Sequence, residues 1–456
     1  DAGRFDAPTA YAAVNRIRLD DMRPHIYRTH DGGKTWTEIV KGLPERDPVN
    51  TVREDPVRKG LLFAGTERAV YVSFNDGDEW HPLRLNMPAT SIRDLVVHND
   101  DVVVGTHGRS FWILDDITPL RQIDSQVADA EAFLFKPQLA YRVRNNLNTD
   151  TPLPAEEPAG KNPPDGAILN YFAKSDAKSV VLEIFDTKDR LVRRYSSADK
   201  IEPVNESALA IATYWIRPPQ ILSAKAGMHR FIWDLHYPPL EGSRGRAYGM
   251  AAVYGDTPAG PFGPWVQPGD YKVKLTVDGK SFTQPLTVKM DPRVKTPAAD
   301  LEKQFLISMQ CYEGVRQIRT TLAQTRQLRD RLKAARERAG GGDIREALNA
   351  LDRKVAALEG TFSPRGRPGL MRSEDTRPTL AKLSGDLSAV MSLVQGADRT
   401  PTTQAMAAAD GSSKALSELL TRWSNLKTEE LKSINEKLRQ ANLPAINLEA
   451  ESSKSE

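Results

Sequence analysis

This sequence of 456 residues has little cysteine, almost no charge imbalance and no long apolar run. The single cysteine, Cys311, excludes an internal disulfide, and its helical surroundings favour a buried structural thiol over a reactive one. The formal net charge is +3, from 63 basic and 60 acidic residues, so the charge does not indicate nucleic acid as a partner. No stretch reaches the roughly 18 apolar residues that a membrane-spanning helix needs.

The common signatures of catalytic and metal sites are also missing. The sequence contains no HExxH, no GxSxG and no phosphate-binding glycine loop. Its seven histidines show no metal-ligand spacing, and all of them precede residue 296. The motifs therefore predict no catalytic residue, no metal and no cofactor.

Proline and aromatic residues are scarce in the last third of the chain. Of the 31 prolines, 25 precede residue 296, and so do 28 of the 32 aromatic residues. After that residue the apolar side chains recur at steps of three and four. This change predicts a fold that is mainly β, with turns, followed by a C-terminal all-α region.

One motif occurs twice in the first 118 residues. "RTHDGGKTWTEI" begins at residue 28, and "VSFNDGDEWHPL" follows 44 positions later. Both copies place a small hydroxyl residue, an acid or amide, a glycine and a tryptophan at fixed offsets: Thr29, Asp31, Gly33 and Trp36, then Ser73, Asn75, Gly77 and Trp80. Aspartate and asparagine can make the same turn hydrogen bonds, but only aspartate carries charge. Their exchange therefore favours a structural turn over a catalytic group.

The strands around this motif repeat with a period of about 40 to 45 residues, which is typical of a four-stranded propeller blade. Residues 1–118 supply about two and a half blades, whereas a closed propeller has at least four. We expect the remaining blades to come from the upstream part of the same precursor or from another chain. The start "DAGRFDAPTAYAAV" has no methionine and no signal-peptide pattern, so we expect the interior of a longer precursor.

Three further regions follow along the chain. Residues 119–160, which end inside the proline-rich stretch "PLPAEEPAGKNPPDG" at 152–166, are predicted to be a linker. Residues 161–295 hold six or seven alternating segments, which predict an immunoglobulin-like β-sandwich. Within them the Asp278-Gly279 pair predicts a tight hairpin turn. Residues 296–446 carry four apolar stripes, which predict an antiparallel helical bundle within the chain, with an intermolecular coiled coil as the alternative. The last segment, 447–456, is predicted to be a disordered tail.

The repeated motif resembles the Asp-box, or BNR repeat, of sialidase-type, sortilin-like and photosystem II assembly-factor propellers. The text around it, such as "THGRSFWILDDITPLRQI" and later "AGMHRFIWDLHYP", is similar to the C-terminal part of large bacterial exported proteins with sortilin-like BNR repeats, which are often labelled glycosyl hydrolases. The resemblance implies a secreted or periplasmic protein. It says little about activity, because the repeats are architectural.

Two places could bind a ligand. His107 and Arg109 in "THGRSFW" could lie at the propeller mouth, with Asp115 and Asp116 nearby. The alternative makes Gly108 a bulge and Arg109 the salt-bridge partner of an aspartate. Trp265, in a loop rich in glycine and proline, is the best candidate for an exposed aromatic that binds glycan, whereas Trp233 is expected in the core.

These observations favour a non-enzymatic scaffold or a protein- or peptide-binding module. Whether the chain is an enzyme stays open. The alternative is a sialidase-like glycosidase or a glycan-binding protein, with its active site mostly on upstream blades. A third possibility is a subunit that docks into a larger assembly through its long helices.

Overall fold

The computed structural model describes residues 1–144, 162–201, 211–240, 254–257, 262–339, 341–360 and 377–448, together with Glu156, Gly160, Glu206 and Gly260. The chain forms two compact units. The first contains the described residues up to Leu235, residues 254–257 and residues 268–291; the second contains the rest. The predicted class is confirmed, because small antiparallel sheets are followed by long packed helices.

Three small antiparallel sheets come first, and in each sheet the strands pair in chain order. The first sheet contains β1 (Ala10–Ala13), β2 (Ile26–Thr29) and β3 (Thr37–Glu38). The second contains β4 (Val49–Glu54), β5 (Leu62–Thr66), β6 (Val70–Ser73) and β7 (His81–Pro82). The third contains β8 (Ile92–His98), β9 (Asp101–Thr106) and β10 (Phe111–Leu114). The three sheets thus hold three, four and three strands.

The second sheet is buried on both of its faces. Leu62 and Ala64 belong to an apolar cluster with Tyr11 and Ile26 of the first sheet. Phe63, between them in the chain, belongs to a different cluster that includes residues of the third sheet. Successive side chains of a strand point to opposite faces, so a continuously apolar strand such as β5 can pack against a sheet on either side. The three sheets therefore form a stack.

Two further sheets, of three and five strands, complete the β structure of the first unit. One has the order β11-β13-β16, from β11 (Ala132–Leu134), β13 (Ala167–Ala173) and β16 (Gly227–Trp233). The other has the order β12-β18-β17-β14-β15, from β12 (Ala140–Arg142), β14 (Val180–Phe185), β15 (Leu191–Ser196), β17 (Gly269–Val277) and β18 (Lys280–Met290). The β12–β18 pair is parallel and the other pairs are antiparallel.

The predicted linker differs from the structure over residues 119–144. This segment contains helix α1 (Ser125–Asp129), capped by the Asp124 carboxylate, which accepts a hydrogen bond from the Val127 amide at 2.9 Å. It then supplies β11 and β12, which pair with strands much later in the chain. The proline-rich part of the linker, residues 145–155, 157–159 and 161, lies outside the described residues.

A hairpin expected between β17 and β18 is confirmed. Val277 pairs with Lys280, and only Asp278 and Gly279 lie between them. Both of these residues have positive φ, 46° and 85°, as a tight two-residue hairpin requires.

The helical region begins with α2 (Ala298–Arg338), which is 41 residues long and so extends about 60 Å. It continues with α3 (Asp343–Glu359), α4 (Leu380–Gln395), α5 (Thr403–Asn425), a π-helical turn at Leu426–Glu430 and α6 (Leu431–Gln440). Their apolar stripes pack against one another within this chain. Cys311 is buried among them, and its burial raises the pKa of its thiol to about 11. Of the predicted tail, residues 449–456 lie outside the described part.

No helix in the described ranges is both long enough and apolar enough to cross a membrane.

A buried ion pair holds one end of the sheet stack. The Asp55 carboxylate accepts hydrogen bonds from the Val57 and Arg58 amides at 2.8 and 2.6 Å and lies 2.9 Å from the Arg121 guanidinium. Arg121 also bonds the Asp100 carboxylate and the Asn99 carbonyl. One arginine thus connects the β4–β5 turn, the β8–β9 turn and the segment that follows β10.

Removing this arginine should destabilise the first unit. Arg121→Ala leaves the Asp55 carboxylate buried without its cation, so we expect the free energy of unfolding to fall by about 3–5 kcal/mol. Urea unfolding followed by tryptophan fluorescence measures the loss. Arg109→Ala, at an exposed arginine of the same stack, is the control and should change the value by less than about 0.5 kcal/mol. Equal losses in the two variants would contradict the assignment.

Candidate binding site at the loop end of the sheet stack

Both copies of the repeated motif form the same turn. In the first copy the Thr29 hydroxyl donates to Asp31 Oδ1 at 2.9 Å and accepts from the Gly33 amide at 3.0 Å. In the second copy the Ser73 hydroxyl donates to Asn75 Oδ1 at 2.9 Å and accepts from the Gly77 amide, also at 2.9 Å. The hydroxyl residue, the acid or amide and the glycine of each motif therefore bond to one another within the turn.

The acid and the amide have the same task in these turns. Asp31 Oδ1 accepts from the Thr35 amide at 2.9 Å, and Asn75 Oδ1 accepts from the Glu79 amide at 3.0 Å. In the first copy the amide and hydroxyl of Thr35 hold the pKa of Asp31 at about 2, well below its ordinary value. Because a neutral amide does the same work in the second copy, the charge of Asp31 is not needed for the turn.

The two tryptophans differ in their surroundings. Trp80 is 2% exposed, and its indole nitrogen donates to the Ile39 carbonyl of the first sheet at 2.8 Å. Trp36 holds the same position in the first copy, but it is 46% exposed. The difference follows from position in the stack, because the second sheet packs on the first and no described sheet covers the Trp36 side.

A row of polar side chains crosses the three sheets at one end. Asn15, after β1, donates to Asn50 Oδ1 of the second sheet at 2.6 Å. Asn50 donates to Glu67 Oε1 at 2.9 Å, and Arg93 of the third sheet lies 3.2 Å from the same oxygen. Arg93 is also 3.5 Å from Nδ1 of His107. We call this set of five residues the polar row, and the end of the stack where it lies the loop end.

Two connections at the loop end have the same internal structure. The Thr66 hydroxyl, after β5, accepts from the Arg68 amide at 3.1 Å, and the Thr106 hydroxyl, after β9, accepts from the Arg109 amide at 3.1 Å. The Thr106 amide also donates to the Ser110 carbonyl at 3.2 Å, as the Thr66 amide does to the Ala69 carbonyl at 2.9 Å. Arg68 and Arg109 are therefore equivalent residues of neighbouring repeats, and both are exposed.

The same equivalence relates Glu67 to His107. The Glu67 amide donates to the Pro48 carbonyl at 3.0 Å, and the His107 amide donates to the Ser91 carbonyl at 2.9 Å. The connection after β9 is one residue longer and contains Gly108, whose φ is 81°. The second and third sheets therefore each place one polar side chain in the row and one arginine beside it.

The predicted grouping of His107 and Arg109 with Asp115 and Asp116 is not found. The first pair precedes β10 and the second pair follows it, so they lie at opposite ends of this strand. Asp116 is buried, where its carboxylate accepts from Asn170 Nδ2 at 2.8 Å, and this burial raises its pKa. The alternative, a salt bridge from Arg109 to an aspartate, is also absent, since the Arg109 guanidinium has no ion-pair partner in the described part of the chain.

Trp265 is not the exposed aromatic that its loop suggests. The residue belongs to the second unit, where its ring lies 3.8 Å from the ring of His236 and its main-chain amide donates to Gln395 Oε1 at 3.0 Å. Trp233 lies in the core, as expected, with its ring 5.5 Å from Tyr271. The glycan-binding role of Trp265 therefore gains no support from its surroundings.

The Glu67 carboxyl is stabilised in its ionised form by its neighbours in the polar row. Burial opposes ionisation of its carboxyl, but the hydrogen bond from Asn50 and the positive charge of Arg93 outweigh this effect, so its pKa is lowered. Glu67 and Arg68 were not predicted from the sequence. The signal that could have found them is the "GT" pair that ends both β5 and β9. No group of three histidine, cysteine or carboxylate side chains in the described ranges could hold a metal ion.

Comparison with known proteins places the chain in no family. No family model and no curated protein match it. Among similar solved structures, YCF48 bound to D1 peptide is 14% identical over 34% of this chain and 42% of that chain, with a TM-score of 0.17. The extracellular domain of the putative hybrid two component system BT4673 from B. thetaiotaomicron is 8% identical over 59% of this chain and 28% of that chain, with a TM-score of 0.17. An ancestral GH74 enzyme is 12% identical over 62% of this chain and 42% of that chain, with a TM-score of 0.18. The chain spans less than half the length of each. At TM-scores this low the likenesses carry no argument about the fold or the function.

The two motif tryptophans should differ in their effect on stability. Trp80→Ala removes a buried ring and its hydrogen bond to Ile39, so we expect a loss of about 3–5 kcal/mol in the free energy of unfolding. Trp36→Ala removes a half-exposed ring and should cost less than about 1 kcal/mol. Urea unfolding followed by far-UV circular dichroism measures both. Similar losses at the two positions would show that the copies are equally covered.

Glu67 should contribute to the acid sensitivity of the first unit. Because its pKa is lowered on folding, the carboxylate stabilises the fold above its unfolded pKa, and this stabilisation is lost as the pH falls through the folded pKa. Between about pH 5 and pH 3 the wild type should lose more stability than Glu67→Gln. Urea midpoints across this range test the difference, with Glu45→Gln, at an exposed site, as the control. Parallel curves for wild type and Glu67→Gln would contradict the role.

Proposed function

We propose that this chain is a non-enzymatic scaffold that binds acidic segments of proteins or peptides at the loop end of its sheet stack. The observation that carries the proposal is the repeated presentation of arginine: the same threonine-anchored turn holds Arg68 in the second sheet and Arg109 in the third. A turn that is built twice around an outward arginine provides a periodic set of cations, which suits an extended anionic ligand.

The chemistry of these arginines favours carboxylates. Both are exposed, and neither guanidinium has a hydrogen-bond partner among the described side chains. The planar guanidinium donates two parallel hydrogen bonds to a carboxylate, and it stays charged at every physiological pH. Aspartate and glutamate side chains, or the C-terminal carboxylate of a peptide, therefore match this surface.

The side chains of the polar row lie beside the two arginines and connect neighbouring sheets. Asn50 of the second sheet and Arg93 of the third sheet both contact the Glu67 carboxylate, which links the connection after β5 to the third sheet. The connection that carries Arg109 is further fixed by Trp112, whose indole nitrogen donates to the Arg109 carbonyl at 2.9 Å. A preorganised surface of this kind loses less conformational entropy when it binds a peptide.

A glycosidase at the same place is less well supported. Glycoside hydrolysis usually needs two carboxyl groups, one of which is protonated and acts as the acid. The polar row contains one carboxylate, Glu67, whose lowered pKa keeps it ionised at neutral pH. The nearby Asp47 has its pKa raised by burial, but it lies beneath Thr66, whose hydroxyl bonds it at 2.8 Å, and it is closed to a substrate.

The proposal includes an organisation for the chain. Residues 1–118 would be the last blades of an Asp-box propeller, followed by a β-sandwich and a helical bundle, in a protein exported by bacteria. What supports this is the stack of three repeat sheets and the identical hydrogen bonding of the two motif turns. Further sheets of the same repeat, from upstream in the precursor or from another polypeptide, would complete the propeller.

Charge reversal in a peptide probe tests the function. A fluorescein-labelled peptide of alternating glutamate and glycine should bind the wild type, and its lysine counterpart should not. Arg68→Ala and Arg109→Ala should each weaken binding of the acidic probe about tenfold in fluorescence anisotropy. Arg68→Lys should weaken it less, because it keeps the charge but loses the two-pronged donor. Arg194→Ala, on an exposed strand position elsewhere, is the matched control.

Equal binding of both probes, or unchanged binding in both arginine variants, would overturn the proposal.

A further inference from the structure

Three aromatic side chains, Tyr214, Trp215 and Tyr254, form a cluster in the part of the first unit that follows the sheet stack. The ring centroids of the three pairs are 6.2, 5.9 and 5.7 Å apart. Tyr214 is 62% exposed, Tyr254 is 50% exposed and Trp215 is half-buried. We call these three residues the aromatic cluster. Large aromatic rings that are grouped at a surface are typical of a binding site.

The main chain holds the aromatic cluster in place. Its residues belong to two segments, 211–217 and 254–257, which hydrogen bonds join. The Thr257 amide donates to the Trp215 carbonyl at 3.1 Å, and the Arg217 amide donates to the Thr257 carbonyl at 2.8 Å. Thr257 and Ile216 form an isolated β-bridge and are both buried. A ligand therefore meets rings on an ordered backbone, which lowers the entropy that binding costs.

An ion-pair set lies two residues from these rings in each segment. Arg217 follows Trp215 by two positions, and Asp256 follows Tyr254 by two. The Arg217 guanidinium donates to Asp256 Oδ1 at 2.7 Å and to Asp165 Oδ2 at 2.5 Å. Two carboxylates contact one guanidinium, so the set carries one excess negative charge. This charge disfavours an anionic ligand beside the rings.

Several hydrogen-bonding groups here have no partner among the residues that the structure describes. They are the hydroxyls of Tyr214 and Tyr254, the indole nitrogen of Trp215 and Oδ2 of Asp256. The indole N–H only donates, an ionised carboxylate only accepts, and a phenol hydroxyl does both. A ligand that satisfies all of these groups must itself donate and accept hydrogen bonds.

We propose that the aromatic cluster binds a neutral glycan, through one pyranose unit of a soluble oligosaccharide. A pyranose with equatorial hydroxyls has C–H groups on its faces, which pack on an aromatic ring, and hydroxyls at its rim that donate and accept. Proline-rich peptides also dock on aromatic side chains. Proline, however, has no N–H, so such a segment offers Asp256 no main-chain donor from its prolines.

The ring orientations indicate a soluble glycan rather than a polysaccharide surface. The planes of Tyr214 and Trp215 are 37° apart, those of Tyr214 and Tyr254 51°, and those of Trp215 and Tyr254 83°. Three rings that are not coplanar cannot stack together on one flat face. A single pyranose unit needs only one exposed ring and leaves the others to contact its edge.

This inference goes beyond the acidic-peptide binding proposed above and shares no residue with it. The aromatic cluster contains no member of the polar row, and neither Arg68 nor Arg109 belongs to it. Each binding activity therefore stands or falls without the other.

Isothermal titration calorimetry of the intact chain with cellotetraose, a neutral β-linked glucose oligomer, tests the proposal. The wild type should bind with a dissociation constant below about 5 mM. Tyr214→Ala and Tyr254→Ala should each weaken binding at least about fivefold, because each removes an exposed ring. Tyr141→Ala, at a tyrosine of β12 that is 46% exposed, is the matched control and should bind like the wild type.

Two further probes test the chemistry of the ligand. An oligomer of galacturonate carries carboxylates and should bind more weakly than cellotetraose, because the ion-pair set has excess negative charge. Tyr254→Phe keeps the ring and removes its hydroxyl, so it should weaken cellotetraose binding less than Tyr254→Ala does. Tighter binding of the galacturonate oligomer would overturn the neutral-glycan assignment.

Three other results would overturn the proposal. The first is no binding of cellotetraose up to about 10 mM. The second is binding that both alanine variants leave unchanged, since the sugar would then lie elsewhere. The third is binding of decaproline alone, weakened by the same two variants, which would assign the aromatic cluster to a proline-rich peptide instead.

Discussion

The packing of one repeat sheet on the next is the constraint on which the described β stack depends. Strands of two to seven residues cannot bury both of their faces alone. The second sheet succeeds because neighbours cover it on both sides, through Leu62 on one face and Phe63 on the other. The glycine and tryptophan of the repeated motif belong to this contact, since Gly77 gives Ile39 room and Trp80 bonds its carbonyl.

The loop end follows from the same repetition. Because neighbouring sheets are built alike, the connections after β5 and β9 reach the same level of the stack. Thr66 and Thr106 form equivalent turns there and direct Arg68 and Arg109 outward. The polar row links these turns across the sheets through Glu67 and Arg93. The repetition of similar sheets thus produces both the stack and the candidate binding surface.

Local patterns in the sequence predicted the elements whose partners lie nearby. The Asp278–Gly279 hairpin, the buried Trp233 and the helical stripe around Cys311 each depend on a few neighbouring residues and agree with the structure. Pairs of strands that are far apart in the sequence could not be predicted from local patterns. The short strand Ala140–Arg142 pairs with a strand near residue 290, and nothing in its own residues indicates that partner. The contact of Trp265 with His236 is likewise one that its own loop does not indicate, because the two residues are distant in sequence.

The candidate site was only half predictable. His107 and Arg109 stood out because they flank a glycine, but the one-residue insertion at this turn concealed their equivalence to Glu67 and Arg68. Hydrogen–deuterium exchange with mass spectrometry, with and without the acidic peptide, tests the central claim most directly. The account predicts slower amide exchange in residues 67–70 and 107–111 when the peptide is present, and no change in the helices. Protection confined to the sandwich or the helices would contradict it.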